Sequence, residues 1–292
     1  MNLEKCDLCP HMCGVNRLNG EFGVCHGTKN PIVALASVHD YEEPCISASK
    51  GSGTVFFSRC NLRCKFCQNY KISTASKGKE VSIEELSDIF LKQQEKGVHN
   101  LNLVSPTIYA KQIKEALILA KSRGLKIPVI YNSSGYERVE VIRELNGIID
   151  VYLPDLKYFD NAVALKYSGI KNYFNYASEA IKEMYKQVGA PKLDKNGVIR
   201  KGLIIRHLIL PNNVTDSINV LEWIKNNIGT DVYVSIMAQY FPAYKAKEDE
   251  TINRKITSDE LEIVHEKLEE LGLINGYIQE LGEHEEEYVP NF

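Results

Sequence analysis

The chain has 292 residues, of which 44% are hydrophobic and 25% charged, and its formal net charge is −3. This length allows one large α/β domain or two small ones, with a sizeable hydrophobic core in either case. The slightly acidic charge excludes the basic excess by which proteins bind polyanions, so we expect no nucleic-acid partner.

The eight cysteines indicate metal binding rather than disulfide bonds. The sequence shows no signal segment and no apolar run of the roughly 20 residues that span a bilayer, so we expect a cytoplasmic protein without membrane association. Cytosolic thiols stay reduced, and a chain of this size needs no disulfides to fold. Clustered thiols are then typical of metal ligands. Six of the eight cysteines form two tight groups, which are Cys6, Cys9, Cys13 and Cys60, Cys64, Cys67.

Residues 1–52 are rich in Cys and Gly and have little hydrophobic periodicity, so we predict a small Cys-rich module that precedes the main domain. Four thiols are enough to close a metal site. They are Cys6, Cys9, Cys13 and Cys25, with His11 and His26 as spare ligands. The spacing does not separate zinc from a second iron–sulfur cluster, because both accept tetrahedral sulfur. It also leaves open that these cysteines bind no metal. Cys45 is predicted to be a small buried residue.

From about residue 53 onward, short apolar runs alternate with amphipathic helices, which is typical of βα units on a parallel sheet. The candidate strands are residues 54–58, 100–104, 127–131, 148–154, 203–210 and 232–237, with 276–281 as a further candidate. Capping boxes predict two helix starts, at Ser82 with Glu85 and at Thr257 with Glu260. The acidic segment 282–292 is predicted to be solvated or disordered.

Polar residues follow several of these strands, and parallel βα sheets bind ligands at the carboxyl ends of their strands. These residues are Ser105, Thr107, Asn132, Ser133, Asp155, Lys157, Gln239 and Tyr240, and Arg206 and His207 lie within the fifth strand. Asn132, Ser133, Gln239 and Tyr240 are candidate substrate contacts. His207 must face away from Arg206 in an extended strand, so we predict a core histidine with satisfied hydrogen bonds.

The cysteine loop after the first strand has three thiols, Cys60, Cys64 and Cys67, and no fourth nearby. Four thiolates close a structural zinc site or an electron-transfer cluster, whereas a catalytic metal keeps one position open for water or substrate. Three cysteines therefore indicate an iron with an open position.

The segment "SRCNLRCKFCQNY" resembles the cysteine motif of the radical S-adenosylmethionine (radical SAM) superfamily. The resemblance implies a partial (βα)6 TIM-like barrel of the radical SAM type for residues 53–292. It also implies a [4Fe–4S] cluster on Cys60, Cys64 and Cys67, with S-adenosylmethionine (SAM) on the fourth iron. Phe66 matches the aromatic position that lies near the adenine in these enzymes.

Within this superfamily the segments "NLVSPT", "YLPDLKY", "IIRHLILPN" and "MAQYFPAY" resemble the pyruvate formate-lyase activating enzymes, in a branch that has an extra N-terminal cysteine module. This resemblance implies reductive cleavage of SAM to a 5′-deoxyadenosyl radical that activates a glycyl radical enzyme. It also implies a low-potential electron donor such as flavodoxin or ferredoxin. Asp155, Lys157 and Arg206 match the residues that hold SAM in the activating enzymes.

One motif of that family, a Gly-Gly-Glu after the second strand that helps to hold the SAM amino group, is absent here. Ser105-Pro106-Thr107 takes its place. The hydroxyls of Ser105 and Thr107 could accept hydrogen bonds from the SAM ammonium, or they could cap the next helix. This departure leaves the activating function open.

The charged strand-end residues and the function each allow more than one interpretation. Asp155 and Lys157 have alternate-residue spacing, so they could reach one ligand or form a structural ion pair. Arg206 could bind the carboxylate of SAM or of a neighbouring glutamate. The function could be that of a radical SAM enzyme for another peptide or a small molecule, or of a non-catalytic iron–sulfur protein. We predict no catalytic acid or base, because hydrogen abstraction by a radical requires none.

Overall fold

The structure, a computed structural model, describes residues 1–74, 77–282 and 292, so most of the predicted acidic segment 282–292 lies outside the described residues. The strands are β1 (Ile32–His39), β2 (Ser52–Phe57), β3 (Lys79–Glu80), β4 (Leu101–Val104), β5 (Val129–Ser133), β6 (Val151–Pro154), β7 (Lys192–Leu193), β8 (Ile199–Leu208), β9 (Tyr233–Met237) and β10 (Gly276–Ile278). The α-helices are α1 (Pro44–Ser47), α2 (Tyr70–Ser73), α3 (Ile83–Glu95), α4 (Ala110–Ser122), α5 (Val139–Glu144), α6 (Asn161–Ser168), α7 (Tyr173–Val188), α8 (Val214–Asn227) and α9 (Ser258–Glu270).

The described strands form one mostly parallel sheet in the order β10-β9-β8-β6-β5-β4-β2-β1-β3, with β7 paired to β8. Strands β2, β4, β5, β6, β8, β9 and β10 pair in parallel in that order. They correspond to the predicted strands, including the further candidate at 276–281, which is β10. The sheet does not close, so the predicted α/β partial barrel is confirmed.

Strand β1 was not predicted. It pairs antiparallel with β2, and Val38 lies opposite Gly53 across the ladder. Most of its residues are only half-buried and do not alternate between buried and exposed, so the period of two that identifies a strand is missing. The predicted boundary after residue 52 falls within β2, just after its first residue, and cuts off β1, with which β2 pairs. The division into two domains stays a prediction.

Both predicted capping boxes are present. Ser82 Oγ accepts a hydrogen bond from the Glu85 backbone at 3.1 Å, and Glu85 Oε2 accepts one from the Ser82 backbone at 2.9 Å. The pair Thr257 and Glu260 does the same at the start of α9. Each N-cap contributes about 1 kcal/mol and fixes where its helix begins. None of the described helices is long and apolar enough to cross a membrane.

The short helix α1 fills the interior of the partial barrel. Its residues Cys45 and Ile46 are buried against Ile130, Leu153 and Ile204 of three strands. A neighbour of each of these three in its strand belongs instead to the outer core under the helices, namely Tyr131, Tyr152 and Ile205. Burial of a side chain such as Ile46 contributes about 1.5–3 kcal/mol. This packing confirms the prediction for Cys45 and fixes the position of the residues just before α1.

Candidate functional site

A cavity of about 490 Å³ lies at the carboxyl ends of the parallel strands. The predicted site residues in its lining are Cys60, Cys64, Phe66, Cys67, Ser105, Asn132, Ser133, Asp155, Lys157, Arg206 and Gln239. Thr107 and Tyr240 are not among the described residues of the lining. Tyr240 is buried, and its hydroxyl donates to the Ile252 carbonyl at 2.6 Å. The structure thus gathers the three thiols and most of the polar strand ends around one space.

The cysteine loop is held by hydrogen bonds to its backbone. Arg63 Nη1 donates to the Cys60 carbonyl at 2.6 Å, and Arg63 Nη2 donates to the Val24 carbonyl of the N-terminal residues. His11 Nε2 lies 2.8 Å from the Asn61 carbonyl, so His11 contacts this loop. The N-terminal residues therefore help to set the conformation of the cysteine loop.

The three thiols of the loop are partly buried at the wall of the cavity. Cys64 Sγ lies 2.9 Å from Ser168 Oγ, and Cys67 Sγ lies 3.3 Å from Ser73 Oγ. Burial raises the pKa of Cys60 to about 12 and that of Cys67 to about 11. Thiolates are the form that binds metal, so a bound metal would have to displace these protons.

These three cysteines fit a [4Fe–4S] cluster better than a single ion. Within residues 1–74, 77–282 and 292, no three His, Cys, Asp or Glu side chains are arranged to hold one metal ion. A cluster takes one thiolate per iron, so its ligand sulfurs need not converge on one point. Soft thiolates on one wall of the cavity and polar strand ends on the others suit a cluster with one iron open to a ligand.

Asp155 and Lys157 point to the same side, as their spacing predicted, and Lys157 Nζ donates to Asp155 Oδ2. Burial alone would lower the pKa of Lys157, but Asp155 and the nearby cysteines outweigh it and raise the pKa. The sequence left open whether Asp155 and Lys157 form an ion pair. The structure shows that they do, and both residues line the cavity. Their contact with SAM stays a prediction.

Tyr173 on α7 fixes the end of β6, a role that no sequence pattern indicated. The Lys157 backbone N–H donates to the Tyr173 hydroxyl at 2.9 Å. That hydroxyl lies 2.8 Å from the Ser134 carbonyl and 2.9 Å from the Asp155 carbonyl, so its one proton serves both. In the sequence, a buried tyrosine of an amphipathic helix cannot be told from an ordinary core residue.

Arg206, which is partly buried, forms a bidentate ion pair with the buried Glu43. Arg206 Nε and Nη2 donate to the two Glu43 carboxylate oxygens at 2.7 and 2.6 Å, and Nη2 also donates to Glu42 Oε2. Burial alone would raise the pKa of Glu43, but the charge and hydrogen bonds of Arg206 hold it below its ordinary value. Of the two partners that the sequence left open for Arg206, the structure thus shows the carboxylate of a neighbouring glutamate. The role of Arg206 toward SAM stays a prediction, and no sequence pattern indicated either glutamate.

Ser105 and Thr107 differ in where their side chains lie. Ser105 lines the cavity with a φ of 59°, a left-handed conformation that is uncommon for serine and is often found at functional sites. Thr107 is buried, and its hydroxyl donates to Glu137 Oε1 at 2.5 Å. In this structure the Thr107 hydroxyl faces Glu137, is not in the described lining of the cavity and does not cap a helix, and its contact with SAM stays a prediction.

His207 is a core histidine, as predicted. Its Nδ1 lies 2.7 Å from the Leu156 carbonyl, and its Nε2 lies 2.9 Å from Ser217 Oγ on α8. Burial lowers the pKa of His207 to about 4, so the ring is neutral at physiological pH. These two contacts occupy both ring nitrogens and leave neither for a ligand.

Glu137 is a completely buried carboxyl group whose titration should make the stability of the protein depend on pH. Burial raises the pKa of its carboxyl from 4.5 to about 8, so the folded protein keeps a proton that the unfolded chain releases. The contribution of Glu137 to stability is fully present below pH 4.5 and is lost as the pH rises to about 8, by about 1.4 kcal/mol per pH unit. Glu137→Gln does not titrate.

We therefore expect Glu137→Gln to become more stable relative to wild type as the pH rises through this window. Urea unfolding at about pH 5 and about pH 8 measures the difference in unfolding free energy between the two proteins. A difference that stays constant with pH would contradict the prediction.

The four N-terminal cysteines also come together. Cys6, Cys9, Cys13 and Cys25 line a small cavity of about 10 Å³ beside the buried guanidinium of Arg17. Burial is the largest cause that raises the pKa of Cys9 and of Cys25. Of the spare ligands, His11 lies against the cysteine loop as described above.

Comparison with known proteins identifies a matching family and a relative that is similar over most of the chain. The family model of the radical SAM superfamily matches residues 54–193. The uncharacterized protein MJ0674 of Methanocaldococcus jannaschii is 32% identical over 282 residues, which cover 92% of this chain and 76% of that protein.

Two solved structures share the fold at low sequence identity. Streptococcus suis SuiB bound to S-adenosylmethionine has a TM-score of 0.54 and 16% identity, with 80% of this chain and 50% of SuiB covered. The FeFe-hydrogenase maturase HydG from Carboxydothermus hydrogenoformans has a TM-score of 0.54 and 15% identity, with 82% of this chain and 56% of HydG covered. The chain spans about half the length of these two proteins. The family match over residues 54–193 and the relative at 32% identity, together with the parallel sheet and the three-cysteine loop at its carboxyl edge, show that the chain belongs to the radical SAM superfamily.

Proposed function

We propose that this protein binds a [4Fe–4S] cluster through Cys60, Cys64 and Cys67 and cleaves SAM in the cavity. The observation that carries the proposal is the single cavity in which these thiols face the polar strand ends. When bound, the cluster supplies the electron that splits SAM into methionine and a 5′-deoxyadenosyl radical, which removes a hydrogen atom from the substrate. The protein residues bind SAM, orient it and exclude water.

Each wall of the cavity suits one part of SAM. Phe66 lines the cavity and packs against Tyr240, with 5.9 Å between ring centroids, so it offers an apolar surface for the adenine. Asp155 and Lys157 offer a carboxylate and an ammonium for the ribose and the carboxylate of SAM. The partly buried ion pair fixes both side chains before SAM arrives, which reduces the entropy lost on binding.

The experiment that tests this function measures 5′-deoxyadenosine after anaerobic reconstitution with iron and sulfide, chemical reduction and addition of SAM. We expect the product only when iron, reductant and SAM are all present. A protein that takes up a cluster and yet neither binds nor cleaves SAM would instead support the non-catalytic iron–sulfur alternative.

We predict that Asp155→Asn and Lys157→Ala each weaken SAM binding by about tenfold to a hundredfold, because each loses a charge-assisted contact of roughly 1.5–3 kcal/mol. Asp194→Asn is the matched control, since Asp194 forms an ion pair with Arg200 at 2.6 Å outside the lining of the cavity. Isothermal titration with SAM measures the three affinities. Wild-type affinity in both cavity variants would contradict the assignment of these residues.

For the substrate we propose the glycine of a glycyl radical enzyme, with flavodoxin or ferredoxin as electron donor. The support is the resemblance of the strand-end motifs to the activating enzymes. A second candidate is another peptide, and SuiB, which shares the fold, is described in complex with its precursor peptide SuiA. A small molecule is the third. Incubation with SAM, reductant and candidate glycyl radical enzymes should give a glycine-centred EPR doublet, whereas SAM cleavage without a doublet would favour the other substrates.

We also propose that Cys6, Cys9, Cys13 and Cys25 hold a second metal, which is an iron–sulfur cluster or, if the thiols move closer together than in this structure, a zinc ion. The buried Arg17 supports this site, because its hydrogen bonds go to the neutral Thr28 and Ile108 carbonyls and its Nη1 lies 4.0 Å from Cys6 Sγ. Thiolates on a metal would balance this positive charge. Metal analysis of a variant with Cys60, Cys64 and Cys67 replaced by alanine should find zinc or iron, and a metal-free protein would contradict the site.

A further inference from the structure

The cysteine loop begins a positively charged stretch of a chain that is acidic overall. Residues 59–79 contain six Lys and Arg residues and no Asp or Glu, whereas the whole chain has a net charge of −3. Three of these cations, Arg59, Arg63 and Lys65, are sequence neighbours of the thiols of the loop. Lys65 Nζ pairs with Asp249 at 2.8 Å, so its charge is balanced by a carboxylate.

Arg63 donates its hydrogen bonds to backbone carbonyls. Its Nη1 donates to the Cys60 and Leu62 carbonyls at 2.6 and 2.9 Å, and its Nη2 donates to the Val24 carbonyl of the N-terminal residues. Arg63 also lines the cavity, as Cys60 does. Carbonyl oxygens are neutral, so these bonds fix the guanidinium beside the loop without balancing its charge.

Arg59 is held by the same part of the N-terminal residues. Its Nη1 donates to the His26 carbonyl, and its Cζ lies 5.6 Å from the centroid of the Phe22 ring. Its Nε is buried and has no hydrogen-bond acceptor among the described residues. Within residues 1–74, 77–282 and 292, neither Arg59 nor Arg63 forms an ion pair with a carboxylate. Partly buried cations without a counterion are unfavourable, so both arginines favour an anion bound nearby.

The other Lys and Arg side chains in the described lining of the cavity do have carboxylate partners. Lys157 pairs with Asp155, and Arg206 pairs with two glutamates. For a group bound at the three thiols, these positive charges are largely cancelled by their partners. The charges of the two loop arginines are not cancelled in this way.

We propose that Arg59 and Arg63 raise the reduction potential of the cluster in the cysteine loop, and that residues 22–26 hold both side chains in place for this role. Three thiolates outweigh the positive charge of an oxidised [4Fe–4S] core, so the bound cluster is an anion, and reduction makes it more negative. A fixed cation beside it therefore favours the reduced state, since net charge and nearby hydrogen bonds set the potentials of such clusters.

The two arginines are thus positioning residues that act through the cluster. They give the N-terminal residues a function that does not depend on a metal at their own cysteines. The inference rests on the proposed function, because it concerns the cluster that cleaves SAM.

The experiment is a redox titration of anaerobically reconstituted protein with dithionite as the electron donor, followed by EPR. The signal to titrate is the one that Cys64→Ala lacks, which separates it from any cluster at the N-terminal cysteines. Arg63→Met removes the charge and keeps an unbranched side chain. It should lower the equilibrium constant for reduction about tenfold, which moves the potential by about 59 mV to a more negative value. Arg59→Met should shift the potential in the same direction.

Arg63→Lys separates the effect of charge from that of hydrogen-bond geometry. An ammonium keeps the positive charge, but it lacks the planar fork that reaches both the Cys60 and the Val24 carbonyl. The potential of Arg63→Lys should therefore stay closer to that of wild type than to that of Arg63→Met. Equal potentials in the Lys and Met variants would contradict a role of the charge.

The control variant is Arg200→Met. Arg200 is the second residue of β8, at the amino end of the strand and outside the described lining of the cavity, and it pairs with Asp194 at 2.6 Å. This variant should keep the wild-type potential. If Arg63→Met takes up no cluster, Arg59→Met decides, because the Arg59 side chain donates to the His26 carbonyl and to no carbonyl of the loop.

The outcomes separate this inference from the proposed function. If the cluster forms and its potential is the same in wild type, Arg59→Met and Arg63→Met, the inference is wrong and the proposed function stands. If wild type gives no signal beyond those of Cys64→Ala, the loop holds no cluster, so the proposed function fails and the inference falls with it.

Discussion

Cys64→Ala is expected to abolish the formation of 5′-deoxyadenosine from SAM. The proposed cluster has three protein ligands, so loss of one leaves two thiolates and no stable [4Fe–4S] site. The change removes one sulfur next to Ser168 and leaves the sheet and its core in place. The effect should therefore fall on iron content and product formation far more than on folding.

The matched control is Cys45→Ala. Cys45 is a buried free cysteine that packs inside the barrel and is not in the described lining of the cavity. We expect this variant to retain iron and SAM cleavage. Iron content, visible absorbance and 5′-deoxyadenosine are measured on reconstituted protein. Full product formation in Cys64→Ala would rule out the cluster assignment.

Gly135→Ala is expected to destabilise the protein strongly and to weaken SAM binding. Gly135 has a φ of 75°, and a Cβ there would lie 2.2 Å from the Asp155 carbonyl oxygen and 3.2 Å from the Tyr173 hydroxyl. The left-handed backbone costs alanine about 1–2 kcal/mol, and the overlap adds roughly 1–3 kcal/mol. The overlap would displace Asp155, and such a misplacement in a binding site costs about a hundredfold.

The control for backbone strain is Gly147→Ala. Gly147 has nearly the same φ, 76°, but a Cβ there would have no atom within 4 Å. This variant should show only the loss from backbone strain and should bind SAM like wild type. Thermal and urea unfolding measure stability, and calorimetric titration measures affinity. Equal stability losses in the two variants would show that the contact between Gly135 and Asp155 has no energetic effect.

The sequence by itself predicted the parallel sheet and the cysteine loop, because both depend on local pattern. Apolar runs alternating with capped helices identify βα units whatever the rest of the chain does. Three thiols within eight residues are close in any fold, so the spacing of Cys60, Cys64 and Cys67 already indicates an open iron site. The same local logic placed His207 in the core, since its side chain must point away from that of Arg206.

Only the tertiary structure decided which polar residues meet. Glu43 and Arg206 are 163 residues apart, and their pairing depends on how α1 packs against Ile130, Leu153 and Ile204. No local pattern carries that information. The direction of the Thr107 hydroxyl follows from the buried Glu137 in the same way. Burial and long-range packing set the charge and geometry of this cavity, because desolvation and ion pairing act through space rather than along the chain.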